Sequence, residues 1–148
     1  METPPAPVVS TEVRVRYAET DAMGVAHHTA YLVWFEAGRT EYTRAAGLPY
    51  REVEEAGTRL VVVEAHCRYH RPARYDDVVV VQTRVRDLGR ATVTFGYEVR
   101  RRDDGALLAD GYTVHAATDA AGRVRRLPEE VRRALAGAGV SVGRGEDR

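Results

Sequence analysis

One long apolar helix, followed by strand after strand, is what this chain encodes. From about His28 apolar residues recur at helical spacing: Tyr31, Phe35, Gly38, Tyr42 and Ala45 fall four or three apart, with Leu32, Trp34 and Ala46 widening the stripe. The spacing predicts a helix of about five turns that stops at Gly47. A stripe this broad needs cover on more than one side. "TEVRVRY" precedes the helix and alternates like a half-buried strand over Glu12–Tyr17. "LPYREVEEAG" follows it, with Pro49 able to start a short second helix.

Then come "TRLVVVEAHCRYH", "VVVVQTRVRDLG", "RATVTFGYEVRRR" and "ALLADGYTVHAAT". In the first of these, Val61, Val63, Ala65, Cys67 and Tyr69 are expected on one face. "RPARYDD" breaks the first from the second, Gly89 ends the second, and Asp103–Gly105 is a hairpin turn signal. "LPEEVRRALAG" reads as a terminal helix with acidic residues in its first turn. Short connections make consecutive strands antiparallel neighbours. The expected fold class is therefore α+β, a curved antiparallel sheet covering one helix. Val78–Val81 is apolar on both faces of its strand, so subunits are expected to pair through sheet edges or faces as at least a dimer.

At 148 residues the chain reads as one domain over 1–148, with an ordered core near 11–137, a floppy N-terminal arm "METPPAPVVS" and a fraying Gly-rich end. Basic and acidic residues balance at 22 each, which points to neither nucleic acid nor an anionic membrane as partner. Every basic side chain other than histidine is arginine, a forked donor suited to phosphate. No apolar run approaches the roughly 20 residues of a membrane span, and the N-terminus lacks the charged and apolar regions of a signal peptide. The single cysteine, Cys67, excludes an internal disulfide and fits a reducing, cytoplasmic setting. It lies in a strand run, where a small buried thiol is the ordinary reading and a nucleophile the alternative.

The chemistry concentrates in "ETDAMGVAHH", between the first strand and the helix. Asp21, ionised, can act as nucleophile or as general base for water. Gly24 allows a tight backbone path and a close approach of substrate. Unpaired N–H groups at a helix start can stabilise an oxygen that is gaining negative charge. Asp21 can equally be an Asx-turn or capping residue. Asp21, His27 and His28 do not form a recognised metal-ligand spacing, and adjacent histidines point apart on a helix, so no metal is expected. Trp34, Phe35 and Tyr42 read as core, while Glu36, Arg39 and Glu41 sit at spacings for intrahelical pairing or an interface contact.

"VRYAETDAMGVAHHTAYLVWFEAGRTEY" and the later "RYHRPARYDDVVVV" resemble two motifs of the hotdog-fold acyl-CoA thioesterases. The similarity is to the 4-hydroxybenzoyl-CoA thioesterase family and its Tol–Pal-associated bacterial branch, over about Val13 to Pro128. It implies a five-stranded antiparallel sheet wrapped around a long central helix, in dimers or tetramers with sites at subunit interfaces. It implies hydrolysis of an acyl-CoA thioester, with coenzyme A as part of the substrate and no separate cofactor. Asp21 takes the place of the family's catalytic aspartate, and the backbone N–H seven residues on, at His28, that of the oxyanion donor. In the bacterial branch, side chains at the positions of Tyr17 and His28 work with the aspartate. Gly24, His27, Arg71, Pro72, Arg74 and Arg90 are placed around the coenzyme A arm, surface charge being the alternative for each arginine. His27 and Ala30 depart from the family pattern, which usually has an aromatic residue and an asparagine or serine there. An acyl carrier protein thioester could replace the CoA ester, and a non-hydrolytic thioester-binding or protein-interaction module is the alternative function. A hydratase fits poorly, for lack of its motif built on a separate Asp and His.

Overall fold

A computed structural model of the chain describes residues 7–137. The N-terminal arm over 1–6 and the tail over 138–148 lie outside the described residues. The elements run β1 (Val9–Arg14), a 3-10 turn (Tyr17–Glu19), α1 (Ala30–Ala45), α2 (Tyr50–Glu55), β2 (Arg59–Tyr69), β3 (Val78–Leu88), β4 (Thr92–Arg101), β5 (Leu107–Thr118) and α3 (Glu129–Leu135). The five strands form one antiparallel sheet in the order β1-β3-β4-β5-β2.

α1 is the 16-residue helix that the spacing predicts, though it begins at Ala30 rather than His28. Tyr31, Trp34, Phe35, Gly38 and Tyr42 are buried on its sheet-facing side. The Phe35 ring stacks on Tyr97 of β4, with centroids 4.2 Å apart. Val79, Val81, Val93, Val99 and Leu108 complete the core beneath it, each side chain contributing roughly 1.5–3 kcal/mol on burial. Gly38 is a close-approach position: a Cβ there would lie 2.3 Å from Thr83 Oγ1 and 2.8 Å from Val81 Cγ1. Cover on more than one side is not what a single chain provides, because Leu32 and Val33 are 40% and 52% exposed. α2 starts directly after Pro49 and α3 directly after Pro128, as the prolines suggest.

Four expectations need correction. β1 spans Val9–Arg14, so the arm contributes Val9 and Ser10 to the sheet, while Tyr17 leaves the strand for the 3-10 turn. The strand ends early because Val15 turns its backbone onto the β2–β3 connection, donating to Asp77 O (2.8 Å) and accepting from Asp76 N (3.0 Å). Second, β2 and β3 are not neighbours: β2 pairs with β5 at one edge, and β3 lies between β1 and β4. Residues 70–77 are too long for a tight hairpin and cross the ends of β5 and β4 instead. Arg101 holds that crossing, donating to Pro72 O (2.9 Å) and Asp77 Oδ2 (3.4 Å).

Third, the faces of β2 switch at a bulge between Val62 and Glu64. Val62 pairs with buried His115 and Ala65 with buried Thr113, so these two face the helix side. Val61, one position before Val62, therefore does not share the face of Ala65, Cys67 and Tyr69, and Val63 is the unpaired residue of the bulge. Fourth, His27 and His28 precede the helix, and their rings lie together, 4.3 Å between centroids, rather than pointing apart.

His115 is buried on the core side, only 1% exposed. Burial, and secondarily the Arg39 charge, push its imidazole down to about 4. The unfolded chain takes up this proton near pH 6.5 and the folded chain only near pH 4, so stability falls as pH drops through that window. Urea unfolding between pH 7 and pH 4 should show a loss of up to about 3 kcal/mol from this group. That part of the slope should vanish in His115→Leu.

Candidate active site

The first motif folds into a compact loop ahead of α1. The 3-10 turn is fixed by Glu19, whose carboxylate accepts from the Arg16 N–H (2.8 Å) and the Trp34 indole N–H (3.2 Å). Its carbonyl accepts from His27 N (2.7 Å). Between these points Thr20 bridges to Ala26, and Asp21 N donates to Val25 O at 2.9 Å. Gly24, at φ +80°, makes the reversal, a backbone state that L side chains rarely adopt. Asp21 Oδ1 accepts from Met23 N (2.8 Å) and Val25 N (3.4 Å), so the Asx-turn reading holds for one oxygen. Oδ2 takes no hydrogen bond among the described residues.

The second motif lies against this loop. Ala26 N donates to Ala73 O (2.7 Å), and Val25 bridges to Arg74. The end of β2 closes the third side, where the Tyr69 hydroxyl donates to His28 O at 2.9 Å. An open cavity of about 350 Å³ results, walled by Asp21, His28, Tyr31, Tyr69, Arg71 and Pro72. The His28 N–H has no hydrogen-bond partner among the described residues. It sits one residue before the Thr29 cap of α1, in the turn closed by Ala30 N to His27 O (2.9 Å). Thr29 N, by contrast, is occupied by His27 Nδ1 at 3.2 Å.

Asp21, His28, Arg71 and Pro72 thus meet in one cavity. Tyr17 does not line it: the ring is 77% exposed and packs edge-on to Tyr75. Gly24 lies at the loop apex and His27 beside His28, its Nδ1 2.8 Å from Thr29 Oγ1. Arg71 and Arg74 are exposed and form no ion pair among the described residues. Arg90 follows the far end of the 11-residue strand β3 and does not line this cavity.

Tyr31, Tyr69 and His70 are wall residues that sequence reading left out. Tyr31 looks like core by its helical spacing, yet its hydroxyl accepts from Ala73 N (3.3 Å) at the cavity edge. Tyr69 carries a signal, the last aromatic before "HRPAR", but its contact with His28 O spans 41 positions. Burial holds the Cys67 thiol above its usual range, which keeps it protonated and suits the ordinary reading. Among the described residues no group of three or more His, Cys, Asp or Glu side chains gathers as a metal site.

Residues 15–135 match the family model of the thioesterase-like superfamily. The acyl-CoA thioesterase YbgC of Haemophilus influenzae is 34% identical over 129 residues, covering 85% of this chain and 93% of that protein. The crystal structure of a hypothetical protein from Thermus thermophilus has a TM-score of 0.81 at 44% identity, covering 85% of this chain and 95% of that one. The DHNA-CoA thioesterase of Staphylococcus aureus has a TM-score of 0.78 at 31% identity, over 81% and 80% of the two chains. A five-stranded antiparallel sheet packed on α1, with a match running from Val15 through Leu135, places this chain in the thioesterase-like superfamily, with the hotdog fold.

Proposed function

We propose that the protein is an acyl-CoA thioesterase, converting an acyl-CoA and water to the free acid and coenzyme A. The observation that carries this reading is one cavity walled by both Asp21, whose Oδ2 takes no hydrogen bond, and His28, whose backbone N–H has no partner among the described residues. Thioester cleavage is served by an attacking group or base at the carbonyl carbon and a hydrogen-bond donor at its oxygen. In one route the Asp21 carboxylate adds to the acyl carbon, and the C–S bond breaks with its electron pair leaving on sulfur. Water then cleaves the anhydride. In the other route Asp21 takes a proton from water as the water oxygen adds directly, and the adduct then collapses with the C–S bond breaking and the coenzyme A thiolate taking up that proton. Either way the carbonyl oxygen gains charge towards the His28 N–H, and loss of such a donor typically costs about 3 kcal/mol of barrier.

The remaining groups take supporting roles in this reading. The His28 imidazole stands beside the reacting carbonyl, and Tyr17 at the cavity approach. Gly24 and His27 border the entry. Arg71, Pro72 and Arg74 receive the coenzyme A arm, its phosphates facing the two free guanidinium groups. Arg90 joins them only across a subunit boundary. A homodimer is proposed through β2, an 11-residue edge strand with Val61, Val62 and Val63 45%, 45% and 59% exposed. Pairing two such edges would satisfy both rows of backbone groups and cover the valines; two dimers could then associate as a tetramer. No described helix is long and apolar enough to cross a membrane, and the free thiol of Cys67 supports a cytoplasmic setting.

Thiol release from a panel of acyl-CoA esters tests the reaction and separates it from a non-hydrolytic binding module, which would release none. Asp21→Asn is the informative variant, since its amide oxygen can still accept from Met23 and Val25 and keep the loop. It should lower kcat by about a hundredfold or more with an unchanged circular dichroism spectrum; full turnover in that variant would remove Asp21 from the chemistry. Sedimentation of the wild-type chain should give a dimer or tetramer, and a monomer at micromolar concentration would contradict pairing along β2.

A further inference from the structure

The turn that carries the His28 N–H has its other backbone polar groups tied off. His27 N donates to Glu19 O at 2.7 Å, and Ala30 N donates to His27 O at 2.9 Å. Thr29 N donates to His27 Nδ1 at 3.2 Å, and Leu32 N donates to Thr29 O at 3.2 Å. His28 O accepts from the Tyr69 hydroxyl at 2.9 Å. Over 27–29 the His28 N–H is thus the one backbone group without a partner among the described residues. In a trans peptide the C=O and N–H point opposite ways, so the bond from Ala30 into His27 O sets the direction of the His28 N–H. That bond also polarises the shared peptide and strengthens the free donor.

All of these bonds but one are local. Among the described residues, every other hydrogen bond of 27–29 stays within the loop and the first turn of α1. Tyr69 ends β2, 41 positions away, and its hydroxyl alone ties this turn to the sheet. The ring is braced for the task. It packs edge-on against Tyr31, with centroids 5.0 Å apart, and Tyr31 is itself only 3% exposed. Burial, and after it the Cys67 thiol two positions earlier, push the Tyr69 hydroxyl up to about 12. At neutral pH it therefore keeps the proton that it donates.

We propose that Tyr69 is a positioning residue of the reaction: by holding His28 O, it keeps the His28 N–H where the thioester oxygen gains negative charge. This rests on the thioesterase reading. Tyr69 acts through the backbone, since the carbonyl it holds and the N–H it positions share the Cα of His28. A reacting geometry displaced by about 1 Å can cost roughly a hundredfold in rate. The charge on the oxygen develops only in the transition state, so the loss of this hold falls on kcat and leaves KM in place.

Thiol release from the acyl-CoA ester that the wild-type chain turns over fastest tests it. Tyr69→Phe removes the hydroxyl and keeps the ring on Tyr31. Water in the open cavity can replace it as a partner of His28 O, so the fold is retained, with an unchanged circular dichroism spectrum. The variant should lower kcat by about tenfold or more and leave KM within about twofold. Infrared spectra of the same ester bound to the Asp21→Asn chain, which hydrolyses it slowly, add a readout that a merely structural role would not move. The ester carbonyl band should lie at lower frequency than in the free ester, and adding Tyr69→Phe should return it towards the free position. A kcat kept while the melting temperature falls, a loss carried by KM alone, or an unmoved carbonyl band overturns the inference while leaving hydrolysis intact. Absence of thiol release from every ester sinks the thioesterase reading itself.

Discussion

The docking of α1 onto β3 and β4 fixes everything else in the molecule. Phe35 lies flat on Tyr97, Trp34 and Tyr42 are fully buried, and Gly38 brings the helix backbone onto Val81 and Thr83. That seat sets the height of the first helical turn, and through the indole of Trp34 it anchors Glu19 and the whole loop carrying Asp21. It also sets the opposite flank of the helix against His115 and Leu60. One packing contact therefore positions two cavities of different character.

The first cavity is shallow and open because it forms where three chain segments meet edge to edge. Two backbone bonds, Ala26 to Ala73 and Val15 to Asp77, do most of this work, with the Tyr69 hydroxyl donating to the carbonyl of His28. Arg101 secures the second motif from behind, bonding Pro72, Asp77 and Asp104 at once. Asp21 divides its two oxygens between structure and solvent, so the capping role and the proposed chemical role coexist in one carboxylate. A more enclosed cavity lies on the other flank of α1, between Arg39, Tyr50, Leu60, Phe95 and His115, and burial pushes that imidazole down to about 4.

Local patterns carried the fold in the sequence. The helix was legible from Tyr31, Phe35, Gly38 and Tyr42, and the β4–β5 hairpin from Asp103–Gly105, because each depends on neighbours a few positions apart. The β2 bulge at Val63, the early end of β1 and the wide crossing from β2 to β3 were not legible, since each is decided by a distant partner. The same holds at the site. Asp21, His28, Arg71 and Pro72 could be read from two motifs, but Tyr69 enters through a contact spanning 41 positions. His115 looks like an ordinary inward residue of a strand. Only the pairing of β5 with β2 and the lie of α1 show that it faces a cavity.

The central claim is that Asp21 and the His28 N–H address one carbonyl. A crystal structure with phenacyl-CoA, a ketone in which a methylene separates sulfur from the carbonyl, tests it most directly. The account predicts the ketone oxygen at hydrogen-bond distance, about 3 Å, from His28 N, and the carbonyl carbon about 3–3.5 Å from Asp21 Oδ2 or from a water it holds. A ketone bound with its oxygen away from His28 N, or with Asp21 out of reach of the carbon, would contradict it.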